Sequence, residues 1–401
     1  MTAAVVEEPV ITSLSAQTGQ TDFAPCCAAS IRVLHVINGE HFAGAERVQD
    51  LMAQWLPEFG VEPAFACLKP NKFPAARRSQ KTPLYLTPMS GRFDLRPAWR
   101  LARLVRREGY DLIHTHTPRA ALVGCIAARL ASVPMVHHVH GQTATEVSNR
   151  LRWRMVAKVE RWAVSRAAAV IAVSPSAGRY IAAHGVPQNK VRVVANGVPT
   201  TASLAPRSTP RGVWTLGVIA LFRPRKGLEP LLDALAALRQ RGLPVRLRAI
   251  GSFETAEYEQ AVRRYAEQLG VGLAIEWTGF RTNVSQELSQ LDLLVFPSVL
   301  PEGLPMVVIE AMAGGTPVVG TRVDGVRDAV RDGIDGLLCE PSNVGELTEA
   351  IARVIRGDVD WQSLRTAAWQ RQRDEFSDQS MCRAMADVYA EVLKANRRKL
   401  A

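Results

Sequence analysis

From residue 31 onward the sequence switches between short β-branched runs and longer stretches with helical spacing, and it goes through this cycle in two separate blocks. "IRVLHVI" (31–37) is apolar almost throughout, and "AGAERVQDLMAQWLPEFG" follows it with apolar residues at i, i+3 and i+4. "YDLIHTH" (110–116), "PMVHHVH" (134–140) and "AAVIAVS" (168–174) repeat the strand pattern. Apolar strands separated by helices predict a parallel sheet covered on both faces, because parallel neighbours need crossover connections that lie over the sheet. At 199–213 the pattern lapses into "PTTASLAPRSTPRGV", which predicts a linker. The cycle then restarts with "WTLGVIAL" (214–221), the helical "LEPLLDALAALRQRG", and the strands "VRLRAIG" (245–251), "LDLLVFPS" (291–298) and "TPVVGT" (316–321). The expected fold class is therefore α/β, with two Rossmann-like doubly wound domains in series at 31–198 and 214–376, and a closing segment at 377–401. Sheets of this kind bind ligands outside the carboxyl ends of their strands, so two facing domains would share a cleft.

Composition narrows the class further. A chain of 401 residues with 47% hydrophobic and 22% charged content is that of a folded globular protein with about two domains. The six cysteines form no CxxC pair, so neither a zinc site nor a disulfide framework is expected, and a reducing, cytoplasmic compartment fits best. No apolar run reaches the roughly 18 to 20 residues of a membrane-spanning helix. Residues 1–30 lack a basic n-region before an apolar core and read as a disordered lead-in rather than a signal peptide. The net charge of +11 suits polyanionic partners or phosphorylated small molecules without choosing among them. "RLRWRMVAKVERWAVSR" (150–166), with Arg150, Arg152, Arg154, Lys158, Arg161, Trp153 and Trp162, has the amphipathic, basic, Trp-bearing pattern of a helix suited to an anionic membrane surface. The same pattern also fits an ordinary docked helix with a solvated face. An aromatic content of 6% and the lack of an RNA-binding motif argue against nucleic acid.

GxGxxG, GxxxxGK[ST] and GxSxG are all missing, which argues against a dinucleotide dehydrogenase, a P-loop NTPase and a hydrolase with a nucleophile elbow. The stretch "PEGLPMVVIEAMAGGTPVVG" (301–320) keeps carboxylates at both ends of an apolar run, Glu302 and Glu310. Read as the loop after a strand and the helix that follows, it frees the amides of Gly303, Leu304, Met306 and Val307, which favour a phosphate. Each glutamate can accept hydrogen bonds from paired hydroxyls, as on a ribose or a hexose. Carboxylate, phosphate and carboxylate in that order describe a sugar nucleotide.

On these residues the sequence resembles the family 4 retaining glycosyltransferases of the GT-B fold, over 31 to about 395. "FPSVLPEGLPMVVIEAMAGGTPVV" is similar to that family's signature nearly end to end. The resemblance implies that Glu310 holds the donor ribose and Glu302 contacts the transferred sugar. "LFRPRKGLEPLL" (221–232) resembles the Arg/Lys pair that neutralises the donor diphosphate; Lys226 matches, but Ala220-Leu221 stands where the arginine usually follows a glycine. Arg223, two residues on, then takes the arginine's assignment. "HFAGAERV" resembles the glycine-rich loop after the first strand, with Gly44 as the close-approach glycine. His140 matches the family's cleft histidine near the donor sugar. "ANGVP" (195–199) resembles the turn at the domain junction, which brings Asn196 to the cleft, and the last helix is expected to cross back onto the first domain.

No metal or other cofactor is expected, since two cations would serve the diphosphate and the one DxD, Asp358-Val359-Asp360, falls between late helices. His114, His116, His137, His138 and His140 cluster at strand ends, but separate strands with alternating faces would keep them apart, leaving His137 and His138 as packing or supporting residues. The implied activity is retaining glycosyl transfer from a nucleotide-diphosphate sugar to a glycan or glycolipid acceptor. A sugar-nucleotide epimerase of the same architecture, or a non-catalytic nucleotide-sugar or polyanion binder, remains the alternative.

Overall fold

The computed structural model of the chain describes residues 30–42, 44–91, 94–141 and 161–400. The expected N-terminal lead-in lies outside the described residues, as do Arg150, Arg152, Trp153, Arg154 and Lys158 of the basic stretch. Two parallel sheets are present. The first has seven strands, β1 (Ile31–Ile37), β2 (Val61–Cys67), β3 (Leu84–Leu86), β4 (Leu112–Thr115), β5 (Met135–Val139), β6 (Ala169–Ala172) and β7 (Val191–Val193), in the order β3-β2-β1-β4-β5-β6-β7. The second has six, β8 (Trp214–Ile219), β9 (Val245–Ile250), β10 (Ile275–Gly279), β11 (Leu293–Phe296), β12 (Val318–Thr321) and β13 (Gly336–Cys339), in the order β10-β9-β8-β11-β12-β13. Both are doubly wound. The chain reverses direction across the sheet between β1 and β4 in the first, and between β8 and β11 in the second, and a crevice opens at each such switch point.

Residues 199–213 contain no helix or strand. They are nonetheless tied down along the second domain: Thr201 Oγ1 donates to the Ala313 carbonyl at 3.2 Å, Arg207 pairs with Asp292 at 2.5 Å, and Arg365 Nη2 donates to the Ala205 carbonyl at 2.9 Å. The C-terminal helix, Asp378–Leu400, crosses back as expected. Its Met381, Cys382, Met385, Val388, Tyr389 and Val392 are buried with Val33 of β1 and with Val48 and Met52 of the first helix, Gly44–Trp55. Each such apolar side chain contributes roughly 1.5–3 kcal/mol by leaving water, so the helix is an integral part of the first domain's core.

Candidate active site

The loop 297–305 after β11 and the helix Met306–Ala313 form one side of the cleft. The helix is apolar around its whole circumference, with Val308, Ile309, Ala311, Met312 and Ala313 all buried. Glu310 is its one charged residue and is itself buried. Burial pushes the Glu310 carboxyl above its usual range, and the guanidinium of Arg47 pulls it part of the way back. Arg47 Nη2 donates to Glu310 Oε1 across the cleft, from the first turn of the first-domain helix. A buried carboxylate is costly unless paired, and Arg47 is that pair. The amides of Gly303, Leu304, Met306 and Val307 have no acceptor among the described residues, which leaves them open to an anion.

Glu302 does not stand alone. Its Oε1 accepts from Lys226 Nζ at 2.6 Å, Ser298 Oγ at 2.7 Å and Arg225 Nη1 at 3.3 Å. Both cations lie on the short 3-10 turn Pro224–Lys226 that follows β8. Gly227 ends that turn with φ +70, and a Cβ there would sit 1.9 Å from the Pro297 carbonyl oxygen, so the turn is pressed directly against the loop carrying Glu302. Burial lowers the Lys226 ammonium pKa, and Glu302 opposes that shift. Arg223 points elsewhere: it pairs with Glu254 at 3.2 Å. The structure thus brings Lys226 and Arg225 onto Glu302, with Arg223 on a neighbouring acidic residue.

Across the cleft, the first sheet presents imidazoles. Parallel pairing sets His35 of β1 beside His114 of β4, and Thr115 beside His137 of β5. Residues two apart on a strand share a face, so His35, His114, His116, His138 and His140 converge on one side of the sheet. His137 falls on the other, at 2.8 Å from Thr115 Oγ1. This corrects the expectation that alternating faces would separate the histidines; in-register parallel strands gather them instead. His35 Nδ1 lies 3.0 Å from His116 Nε2, and His116 Nδ1 lies 3.1 Å from His140 Nε2. His114 Nδ1 meets the Tyr389 hydroxyl of the C-terminal helix at 2.6 Å. Burial holds all of these imidazoles far below their usual pKa, His140 down to about 3, so they are neutral at physiological pH.

The two sides meet at close quarters. A Cβ on Gly303 would lie 2.2 Å from the His140 carbonyl oxygen, so only glycine lets the Glu302 loop approach His140 this closely. Asn196 Nδ2 donates to the Leu304 carbonyl at 3.2 Å, and its Oδ1 is buried without a partner among the described residues. Gly44 opens the first helix, with Met306 Cγ the nearest atom at 3.7 Å from a Cβ built there, an ordinary contact.

Residues 42–202 match the family model Glycosyltransferase Family 4, and residues 213–357 match Glycosyl transferases group 1. The chain belongs to the family 4, group 1 glycosyltransferases. A 2-deoxystreptamine glucosyltransferase of Streptomyces kanamyceticus is 29% identical over 343 residues, covering 76% of this chain and 87% of the relative. An Escherichia coli UDP-Gal:alpha-D-GlcNAc-diphosphoundecaprenol alpha-1,3-galactosyltransferase is 28% identical over 284 residues, 66% of this chain and 72% of that one. The crystal structure of Anabaena HepE in complex with UDP matches with a TM-score of 0.78 and 21% identity, over 90% of this chain and all of that one, which establishes the GT-B fold. In this glycosyltransferase, Arg47 and Arg225 are the cleft residues that sequence reasoning missed. The signal for Arg47 was indirect: a glutamate inside an apolar helix requires a cation from a neighbouring element.

Proposed function

We propose that the chain is a retaining glycosyltransferase that moves a hexosyl group from a nucleoside-diphosphate sugar to a glycan or lipid-linked glycan acceptor. The observation that carries this reading is the order of groups along one cleft wall: buried Glu310, the open amides of Gly303, Leu304, Met306 and Val307, then Glu302 with Lys226 and Arg225. Glu310 accepts the ribose hydroxyls, displacing Arg47 in whole or in part. The diphosphate lies over the loop amides and draws Lys226 and an arginine, Arg225 in place of Arg223, away from Glu302. Glu302, so released, accepts from the transferred sugar, while His140 faces that sugar from the other domain and Asn196 holds the loop beneath it. HepE was solved with UDP and with UDP-glucose, which supports a uridine donor here.

In the reaction the acceptor hydroxyl oxygen bonds to the anomeric carbon on the face the leaving group departs from. The carbon–phosphate oxygen bond breaks, and the acceptor's proton passes to the departing phosphate oxygen. Positioning and stabilisation of the leaving charge then supply the catalysis, with no divalent ion required at the diphosphate. Incubation with a panel of sugar nucleotides tests this. Acceptor-dependent release of nucleoside diphosphate that survives chelation, with the donor's anomeric configuration kept in the product by NMR, is expected. Epimerised donor without an acceptor would establish the epimerase reading instead, and tight donor binding without turnover the non-catalytic one.

The E. coli relative named for a diphosphoundecaprenol acceptor favours a lipid-linked substrate. Among the described residues, no helix is long and apolar enough to cross a membrane. Attachment would instead use the basic stretch, of which Trp162 is exposed, with the Arg166 guanidinium 4.1 Å over its ring. Basic residues near an anionic surface contribute about 1 kcal/mol each. Sedimentation with anionic but not neutral vesicles, lost in an Arg150/Arg152/Arg154 triple alanine variant, is the expected outcome; indifference to lipid charge would remove the membrane from this reading.

A further inference from the structure

The switch point of the first sheet holds more imidazole than glycosyl transfer uses. Beyond His140, the reading above gives no task to His35, His114, His116 or His138, although all four are buried. Several of their ring nitrogens are orphaned. Both nitrogens of His138 are buried with no partner among the described residues, as are His35 Nε2, His114 Nε2 and His140 Nδ1. A buried polar atom left unpaired is costly, so a cluster of them is a strong reason to look for a ligand. Neutral imidazole nitrogens offer lone pairs, and a transition-metal cation is what accepts several of them at once.

We propose that His116, His138 and His140 form a binding site for a borderline-soft transition-metal ion of the Zn2+ class at the rim of the cleft. One ring nitrogen from each of the three lies within 4.8 Å of the others. His116 Nδ1 and His140 Nε2 are 3.1 Å apart, close to the roughly 3.3 Å that separates two nitrogens on one tetrahedral ion with bonds of about 2.0–2.1 Å. His138 and His140 share a face of β5 and its end, and His116 ends the neighbouring β4, so the backbone itself fixes the triad. His140 is only partly buried, which provides an access path, and a tetrahedral ion held by three imidazoles has a fourth position for water or another oxygen ligand. A deeper triad, His35, His114 and His116, meets the same spacing but all three of its residues are buried. Mg2+ and Ca2+, which require oxygen ligands, do not fit either group.

The site is read from the imidazoles alone and requires neither donor nor acceptor to form, although it shares His140 with the sugar contact proposed above. It is tested with the full-length, tag-free protein, stripped of metal and dialysed against Zn2+ and, separately, Co2+. One ion per chain is expected, with the visible bands of four-coordinate Co2+. His138→Ala should weaken binding by at least about tenfold. A double variant of the exposed His41 and His184, both changed to alanine, should bind as the unaltered chain does. Should His138→Ala fail to fold by circular dichroism, X-ray absorption of the Zn2+-loaded unaltered protein counts the imidazoles directly: three support the site, and fewer overturn it. Failure to bind a stoichiometric ion, or binding that survives His138→Ala and is lost in the His41/His184 variant, also overturns it. Transfer activity is assayed separately, so failure of this site leaves the functional reading untouched.

Discussion

The two switch points occupy the same topological position in two sheets of the same kind, yet they are built from opposite chemistry. Where β8 and β11 diverge, the second sheet offers formal charge in pairs: Lys226 and Arg225 on Glu302, with Glu310 answered from the other domain by Arg47. Where β1 and β4 diverge, the first sheet offers neutral imidazoles that burial keeps uncharged. In the proposed function, the difference assigns each wall its part of a sugar nucleotide. In the proposed reading, a diphosphate, whose charge grows as the glycosidic bond breaks, falls to the wall with the paired cations, and sugar and acceptor hydroxyls fall to neutral acceptors. The fold supplies two crevices, and the side chains at the strand ends decide what each one is for.

The comparison breaks first at Lys226. If the charged wall carries the leaving group, Lys226→Ala should lower kcat by roughly 10²-fold or more, because the cation matters most in the transition state. Substrate KM should change far less. Single-turnover kinetics with saturating donor would show this; an equal loss in KM and none in kcat would make Lys226 a ground-state anchor and move the catalytic charge elsewhere.

Glu310 and Arg47 sharpen the comparison next. Glu310→Ala should weaken nucleotide binding by about 1–3 kcal/mol, roughly 5- to 150-fold, as charge-assisted hydrogen bonds are lost. Calorimetry with free nucleotide measures it, and unchanged affinity would remove the ribose assignment. The pH dependence has a definite sign. Burial raises the Glu310 pKa, and ionised Glu310 is the acceptor, so affinity should be full above that pKa and fall as the pH drops through it. Arg47 is the group that pulls the pKa down, so in Arg47→Ala the fall should move to higher pH. Stability follows the linkage rule for a raised carboxyl: its contribution is present below the unfolded pKa and is lost as pH rises through the folded one. The Arg47→Ala variant should therefore be more destabilised at pH 8 than at pH 5.

Much of this wall was legible in the sequence because one continuous segment carries it. "FPSVLPEGLPMVVIEAMAGG" contains strand end, loop, helix start and both glutamates, so local reasoning was enough to assemble them. What crosses between segments was not legible. β2 is one case: Pro63 within "VEPAFAC" argues against a strand, yet β3 pairs with β2 only from Phe65 onward, so Pro63 sits where no outer neighbour requires an N–H. The histidines are another. Their period along each strand was readable, but convergence depends on the register between β1, β4 and β5, which the sequence does not state. Arg47 lies 263 positions from its partner Glu310, and only the closed cleft joins them.

The smallest expected effect is the most pointed test of the charged wall, because it concerns which arginine belongs to it. The resemblance to the family assigns the second cation to Arg223, while the turn Pro224–Lys226 turns Arg225 onto Glu302 beside Lys226 and leaves Arg223 on Glu254. Glu254 is about half exposed, at 47% of its side chain, so the Arg223 pair is close to a surface ion pair and contributes no more than about 1 kcal/mol. Arg223→Ala should then change kcat little, because its partner is Glu254 rather than Glu302. Arg225→Ala should do distinctly more, since it removes a cation next to Lys226 and leaves Glu302 with fewer donors in the unliganded enzyme. Measuring both variants under identical conditions decides the assignment. If Arg223→Ala is the more damaging, the donor pulls Arg223 from Glu254 on binding, and the charged wall is assembled by its ligand rather than in advance of it.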